Sequence, residues 1–589
     1  MPRITHPATG QPVYIPGVYT DTDVVSDLPG PLPAFMVPMV LADAEEGYPI
    51  TIETDRFDHE TVTWWKFRGT ASSSRDWFGA DSDMATVMAW AKRNGLPNAY
   101  CVAINPLTRA KVVATSVGPI NQVTIAARKF GAPGGHIKIK CTGGATPTLE
   151  VTPLKHYSRL TATAAIAATT IYVRDNSWVR DGMTISIGDA TSANVDMIVD
   201  STGTSLDSDG QVLYWVKLTS ALAAEQAIAD YAMIVEYDDT AMEAPDAFTT
   251  VAEMVTWIQE SSEYLEAKTE VTFSGAAIIV LATATPIKDV AVWAAPTDGT
   301  SPASTSTEYD DFITLIDATG WDEFAESEQV VPQAFYAATD SSTAHGALRD
   351  WAIAKRAEGY PVSITTGVGW GDVVLDAGND TDPKFRLAAL NSQDVCLCVG
   401  GIDKLASYLT LGPSVYGRRV GGGIPHNLTN DDMFYSEVEV KWDERGSGEL
   451  TALHRAGACT YRLSMAGTIR YRISQGLSSL QSNASAWNES TADTCLLMQR
   501  DLADYVERIM RTDLDMTQVG ADEVSPGTIG AVIIRRADKL VKRGLITGYT
   551  ITSITLNDSG AGYDVDWRLS LPTTNDFITL RTTIYIGEE

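Results

Sequence analysis

The chain has 589 residues, 44% of them hydrophobic and 20% charged, with a formal net charge of −31. That length exceeds what one core can serve, so three or four domains are expected. So acidic a balance argues against a nucleic-acid binder, no apolar run reaches the ~20 residues of a membrane helix, and six scattered cysteines are no disulfide framework. Met1-Pro2-Arg3-Ile4 opens without the charged start and apolar core of a signal peptide, so cytoplasm-like conditions are expected.

Residues 1–30 are rich in Pro, Gly and Asp, with Val13, Ile15, Val18 and Tyr19 broken by Pro16-Gly17. They read either as a frayed terminus or as an extended arm that pairs with another subunit. Residues 31–155 mix short strands with one clear helix: Phe35–Leu41 is an apolar run, 81–95 is helical with Met84, Val87, Met88 and Ala91 on one side, and 98–104 is a strand. Across 156–238 the helical period fades, and short strands at 169–173, 184–187, 196–199, 212–218 and 232–237 indicate an inserted antiparallel β domain. From Tyr157 to Tyr237 it holds 4 Lys and Arg against 10 Asp and Glu, which suits an exposed outer position.

Residues 247–400 read as an α/β layer. Helix stripes are predicted from Phe248, Val251, Val255 and Ile258, from Tyr309, Phe312, Ile313 and Ile316, and over 344–356. Strands are predicted at 276–281, 289–293, 330–336, 361–365 and 394–399. Together with 31–155 this gives a discontinuous α/β middle domain over 31–155 and 239–420. An α+β C-terminal domain follows over 421–575. Its long helix spans 491–511, with Ser490 as the cap, Asp493 in the first turn and Met498, Leu502, Tyr505, Val506 and Ile509 as the stripe. A second helix follows Ser525-Pro526 and stops at Gly544. Strands at 550–556 and 563–571 form a hairpin, and a β-rich run at 577–586 closes the chain. Such a terminal strand is free to leave its own domain and pair with a neighbour's sheet edge. From Tyr461 to Glu589 the net charge is only −3, so this part suits burial in an assembly.

Catalytic signals are weak. Gly367-Val368-Gly369-Trp370-Gly371-Asp372 puts Asp372 where a dinucleotide loop needs a third glycine, and no phosphate-binding Gly-x-x-x-x-Gly-Lys loop or Gly-x-Ser-x-Gly elbow is present. The seven histidines are isolated, and His345 at a helix start suits a surface or capping role. Cys396 and Cys398 share one face of a strand. Two sulfurs do not complete a tetrahedral zinc site, so core packing is expected for them. No catalytic residue, metal or cofactor is expected.

Several stretches resemble the contractile phage tail sheath proteins. They are the Glu449…Leu453…Ala456-Gly457 helix, the Arg-bearing helix 491–511, Val541-Lys542-Arg543-Gly544-Leu545-Ile546, the Gly548-Tyr549 strand start, the Asn557-Asp558 turn and the closing strand. Ile15-Pro16-Gly17-Val18-Tyr19 resembles that family's Pro-Gly-Val-Tyr arm, and Thr297-Asp298-Gly299-Thr300 its Gly-Thr-Asp-Gly turn, with Ala295-Pro296 in place of glycines. Gly134-Gly135-His136-Ile137 matches the family only in part, and the β insertion lies outside the resemblance.

The resemblance implies a structural subunit that wraps an inner tube as a helical stack of hexameric rings and contracts to drive the tube through the host envelope for genome delivery. Its partners would be further copies of itself, the tail tube protein, and baseplate and tail terminator proteins, without nucleic-acid contact or membrane insertion. It would be assembled in the host bacterial cytoplasm and end in the virion tail. Strand exchange would use Val13, Ile15, Val18 and Tyr19 at one end. At the other it would use the swapped strand 576–589, with Phe577, Ile578, Leu580, Ile584, Tyr585 and Ile586. Arg500, Arg508 and Arg511 would face the tube, or else form a solvated helix face with internal ion pairs. The alternatives are an α/β-class hydrolase with a β binding module, revealed by convergent polar groups at strand ends, and a non-contractile tail or baseplate protein.

Overall fold

The computed structural model describes residues 36–48 and 68–572 with interruptions, the longest at 270–278, 321–330, 370–377, 434–446 and 481–495, together with the short strands Ile4–Thr5 and Pro12–Val13. The frame is a parallel sheet. Its strands are Pro38–Ala42, Ala99–Ala103, Ala334–Ala337, Ser363–Gly367 and Val395–Cys398, every residue of them buried. Continuous burial is what a parallel sheet covered on both faces demands. In chain order the strands stand 2-1-3-4-5, with the antiparallel scrap Arg68–Gly69 at one edge. The order reverses between Pro38–Ala42 and Ala334–Ala337, so a crevice opens at their carboxyl ends.

Strand alternation splits the core in two. Met39, Leu41, Tyr100, Val102 and Phe335 face one cluster with Phe312, Leu348 and Trp351 from the helices Ser306–Leu315 and Ser342–Ala357. Val40, Ala42, Cys101 and Tyr336 face the other, with Val87 and Met88 from the helix Asp83–Arg93, Tyr416 from Leu411–Gly421, and Leu502, Val506, Ile529 and Ile533 from the last two helices. The C-terminal helices therefore share one apolar core with the α/β sheet.

The helices Asp83–Arg93 and Leu411–Gly421 meet backbone to backbone. A Cβ on Gly417 would strike the Ala91 carbonyl, and one on Gly421 would strike that of Gly95. Gly417→Ala is expected to cost about 1–3 kcal/mol by forcing these helices apart. A thermal midpoint equal to that of the unaltered chain would refute the close approach.

Residues 248–300 depart from the expected α/β layer. They join residues 107–152 in an antiparallel lobe. One sheet runs Leu265–Thr269, Asn121–Ala127, Lys111–Thr115, Ala294–Thr297; another runs Leu149–Thr152, Lys138–Cys141, Leu281–Pro286. The helix Val251–Ser261, with its Thr250/Glu253 capping box, covers a separate core of Val112, Ile125, Ile258 and Leu265. One helix among antiparallel strands imitates α/β alternation in sequence. The strand expected at 289–293 is instead a 3₁₀ turn, Ile287–Asp289, followed by a bend, with the strand at Ala294–Thr297. Ile287, Val290 and Trp293 are buried at a spacing of three while Val292 is exposed, so the period is that of a turn. Of the strand expected at 276–281, residues 276–278 lie outside the described residues; a strand runs Leu281–Pro286.

The insertion forms the expected antiparallel sheet, in the order Leu154–Arg159, Met233–Tyr237, Thr184–Gly188, Asn194–Leu206, Val212–Leu218, Thr170–Val173. It has its own core of Ile171, Val173, Ile185, Val216 and Ile234. The long C-terminal helix runs Leu497–Gln518; Ser490 and Asp493, the expected cap and first-turn carboxylate, lie outside the described residues. The apolar stripe begins only at Leu497 and Leu502, and Leu496 instead bridges to Leu477. No helix among the described residues is long and apolar enough to cross a membrane.

Candidate functional site

The helix Leu497–Gln518 is the element that ties the layers together. Leu502, Tyr505, Val506 and Ile509 are buried at helical spacing. Asp501 lies among them, which a purely amphipathic helix would not tolerate without a partner. The partner is Arg419, on the helix Leu411–Gly421: its Nε donates to Asp501 Oδ2 at 2.8 Å, with both side chains under 5% exposed. Arg419 Nη1 also donates to Thr365 Oγ1 at 3.2 Å. Burial raises the Asp501 carboxyl above its ordinary range, against the opposing pull of Arg419.

One turn on, Asp504 accepts from Arg356 Nη1 at 2.8 Å and Nη2 at 2.9 Å, a two-pronged pair. Arg356 Nε also donates to Asp394 Oδ1 at 2.8 Å. Burial works to raise Asp504, but hydrogen bonds from Arg356 and Arg500 outweigh it and hold the carboxyl below its usual value. Sequence reading misses this network because Arg356 stands 148 residues from Asp504.

Of the residues expected to face a tube, Arg500 is half-buried and paired with Asp504 on its own helix. Arg508 is also half-buried, its guanidinium carbon 5.5 Å from the centre of the Tyr505 ring. The Arg511 side chain lies outside the described residues. Val13 sits in a two-strand ladder, in register with Ile4. Ile15, Val18, Tyr19, Phe577, Ile578, Leu580, Ile584, Tyr585 and Ile586 also lie outside the described residues.

The hairpin Gly548–Leu556 with Tyr563–Ser570 packs on the helix Pro526–Lys542, which Ser525 caps through Thr528 N at 3.2 Å. Ile551, Ile554, Val565, Trp567 and Leu569 lie half-buried against that layer. Among the described residues no third strand joins either edge of the hairpin. Its outer main-chain groups therefore suit an added strand.

A second constellation fills the crevice at the sheet's switch point. The cavity, of about 610 Å³, is lined by Asp43, Glu45, Asp83, Asp340 and two arginines of the insertion, Arg159 and Arg174. Convergent polar groups at strand ends are the feature that would mark an enzyme. Here the insertion's arginine is bound to those carboxylates: Arg174 reaches Glu45 Oε1 at 2.5 Å and Asp83 Oδ1 at 2.6 Å. The arrangement works as a charge clamp between the insertion and the sheet.

Close by, burial pushes the Asp81 carboxyl up to about 7, with Asp175 and Glu45 adding to the rise while Ser158 and Arg174 oppose it. Burial, aided by Asp83, pushes Asp43 up to about 7 as well. A carboxyl raised in the folded state holds more protons there than when unfolded, so stability falls as pH rises from about 4 to about 7 and levels off above. Asp81 Oδ2 accepts from Arg159 N at 3.1 Å, a bond that asparagine can keep. Asp81→Asn is therefore expected to stabilise the chain by roughly 2–4 kcal/mol at pH 8 and by little at pH 4. Thermal midpoints at the two pH values check this; an equal shift at both would sink it.

His345 does not have the expected surface or capping place. It is buried in the helix Ser342–Ala357, with Nε2 3.0 Å from the Thr339 carbonyl and 2.9 Å from Thr366 Oγ1. Burial, together with the Arg386 charge, lowers it to about 4. Ser341 is the cap, accepting from Ala344 N at 3.3 Å. Of the glycine run, Gly367 lies against the Tyr408 backbone with no space for a Cβ, and 370–377 fall outside the described residues.

No family model and no curated protein sequence matches the chain. Among solved structures, the sheath tail protein from Listeria innocua is similar at a TM-score of 0.50 and 11% identity, over 95% of this chain and 97% of that one. The sheath tail protein from Desulfitobacterium hafniense gives 0.48 and 11% over 95% and 100%. The helical sheath of the anti-feeding prophage in its contracted state gives 0.35 and 13% over 48% and 77%. The chain thus carries the fold of a tail sheath protein, as the Listeria structure defines it.

Proposed function

We propose that the chain is the structural subunit of a contractile tail sheath. The observation that carries this reading is the correspondence of fold with the Listeria sheath tail protein across 95% of the chain. Two features of the chain's own fit the role. The C-terminal helices are fused to the α/β core through Arg419–Asp501 and Arg356–Asp504, so a subunit can move as a rigid block. The hairpin has edges that an incoming strand can extend.

In this reading the subunits polymerise helically around a tail tube, through a heterologous interface that does not close. The N-terminal arm, with Val13, Ile15, Val18 and Tyr19, and the C-terminal strand, with Phe577 through Ile586, reach into neighbouring subunits. Each exchanged strand contributes a ladder of main-chain hydrogen bonds. Arg511, with any surface of Arg500 and Arg508 left by their internal contacts, faces an acidic tube. Contraction draws on the free-energy difference between two packings of rigid blocks. The tube is thereby driven through the host envelope, with baseplate and terminator proteins at the two ends.

The test is expression of the chain alone followed by negative-stain electron microscopy. Long hollow striated tubes are expected. Monodisperse particles across salt and concentration, persisting after a tail tube protein is supplied, would overturn the proposal.

A further inference from the structure

The two cysteines of the strand Val395–Cys398 do not stand alone. Cys459, sixty-one residues after Cys398, pairs with it as a parallel bridge, with Cys459 N donating to the Leu397 carbonyl at 3.0 Å and Val399 N to the Cys459 carbonyl at 2.9 Å. Cys396 and Cys398 share a strand face by their spacing of two, and the bridge brings Cys459 to the same face. All three are less than 1% exposed, and their sulfurs lie within 4.8 Å of one another.

We infer that Cys396, Cys398 and Cys459 form a three-sulfur site for a soft, thiolate-seeking monovalent ion of the Cu(I) class. Metal–sulfur bonds of about 2.3 Å arranged in a plane place sulfurs about 4 Å apart, so the cluster closes on an ion with only a small side-chain adjustment. Among the described residues, no fourth His, Cys, Asp or Glu joins the group. Zn(II) requires four ligands in a structural site, whereas soft thiolates without nitrogen or oxygen partners select Cu(I). The surroundings are apolar, with Val395, Leu397 and Leu411 in the same core. A cation is nevertheless close in the fold: Thr365 is the register partner of Cys396 and accepts from Arg419, which places a guanidinium beside a site that gains negative charge. On binding, each S–H proton passes to buffer as a sulfur–metal bond forms, and the ion keeps its charge. The burial of all three sulfurs means that the ion enters while the chain folds.

The full-length chain is refolded from denaturant without oxygen, with Cu(I) supplied as its acetonitrile complex, then desalted and measured for copper and for sulfur-to-metal charge-transfer absorption. One equivalent per chain is expected, with three sulfurs by X-ray absorption. Cys101→Ser, Cys141→Ser and Cys495→Ser combined should retain that equivalent. Cys396→Ser with Cys459→Ser should lose it at least tenfold while keeping the circular dichroism of the folded chain. Should that pair misfold, Cys459→Ser alone is read by X-ray absorption, where the three-sulfur shell must vanish. Copper that stays at the same stoichiometry in these variants, a shell with oxygen or nitrogen, or no retained copper in the unaltered chain would overturn the assignment.

Discussion

Removing residues 577–589 is expected to leave a folded chain that no longer polymerises. The described cores are built from residues between Met36 and Leu571, so the truncation spares them. What it removes, on the strand-exchange reading, is the ladder between one subunit and the next. A ten-residue strand forms on the order of five to ten main-chain bonds, each worth about 0.5–1.5 kcal/mol net. Losing even 5 kcal/mol per contact weakens association by more than a thousandfold. Circular dichroism and thermal unfolding should match those of the intact chain, while sedimentation and electron microscopy should show no tubes. A proline at Thr579 tests the ladder more finely, because it removes one N–H donor and keeps the length. Tubes of normal length from the truncated chain would end the strand-exchange account.

Where the sequence foretold structure, one local signal and one burial pattern agreed. The helices Asp83–Arg93 and Pro526–Lys542 carry caps at Ser82 and Ser525 and apolar stripes that the core needs. The insertion's strands were legible because they are short β-branched and aromatic runs separated by turns, and Thr170–Val173 also alternates buried and half-buried positions. Residues 248–300 misled because their period is short and mixed: within 289–293 the apolar run Val290-Ala291-Val292-Trp293 mimics a strand, and only the burial of Ile287, Val290 and Trp293 at a spacing of three shows the turn. The functional constellations were the least legible part. Asp501 and Asp504 look like ordinary polar positions of an amphipathic helix until Arg419 and Arg356 arrive from elements 82 and 148 residues away. Cys459 gives no sign of its partners either, since a parallel bridge leaves no spacing rule in the chain. Long-range pairing is the information that one sequence does not print.

Asp501→Ala is expected to destabilise the chain by about 3–5 kcal/mol, the cost of leaving Arg419 buried and charged without its partner. The effect should exceed that of Arg500→Ala, whose pair with Asp504 is a one-turn contact on a half-buried face, by several-fold. The comparison separates two roles that the same helix combines. A pair whose members are both under 5% exposed does not stabilise through attraction alone, because removing two charges from water costs about as much as the pair returns. The role to be tested is register: the Asp501 carboxylate meets Arg419 at 2.8 Å, a contact that a rotation or shift of the long helix against Leu411–Gly421 would break. Replacing both partners, Arg419→Met with Asp501→Leu, should therefore restore most of the urea midpoint lost by Asp501→Ala. If the pair sets the angle between the C-terminal layer and the α/β sheet, that double variant will be stable yet assemble into tubes of altered or irregular pitch, seen by electron microscopy. Regular tubes from the double variant would show that the apolar stripe of Leu502, Tyr505, Val506 and Ile509 sets the register by itself, and the charge pair would then be a tolerated feature of the core.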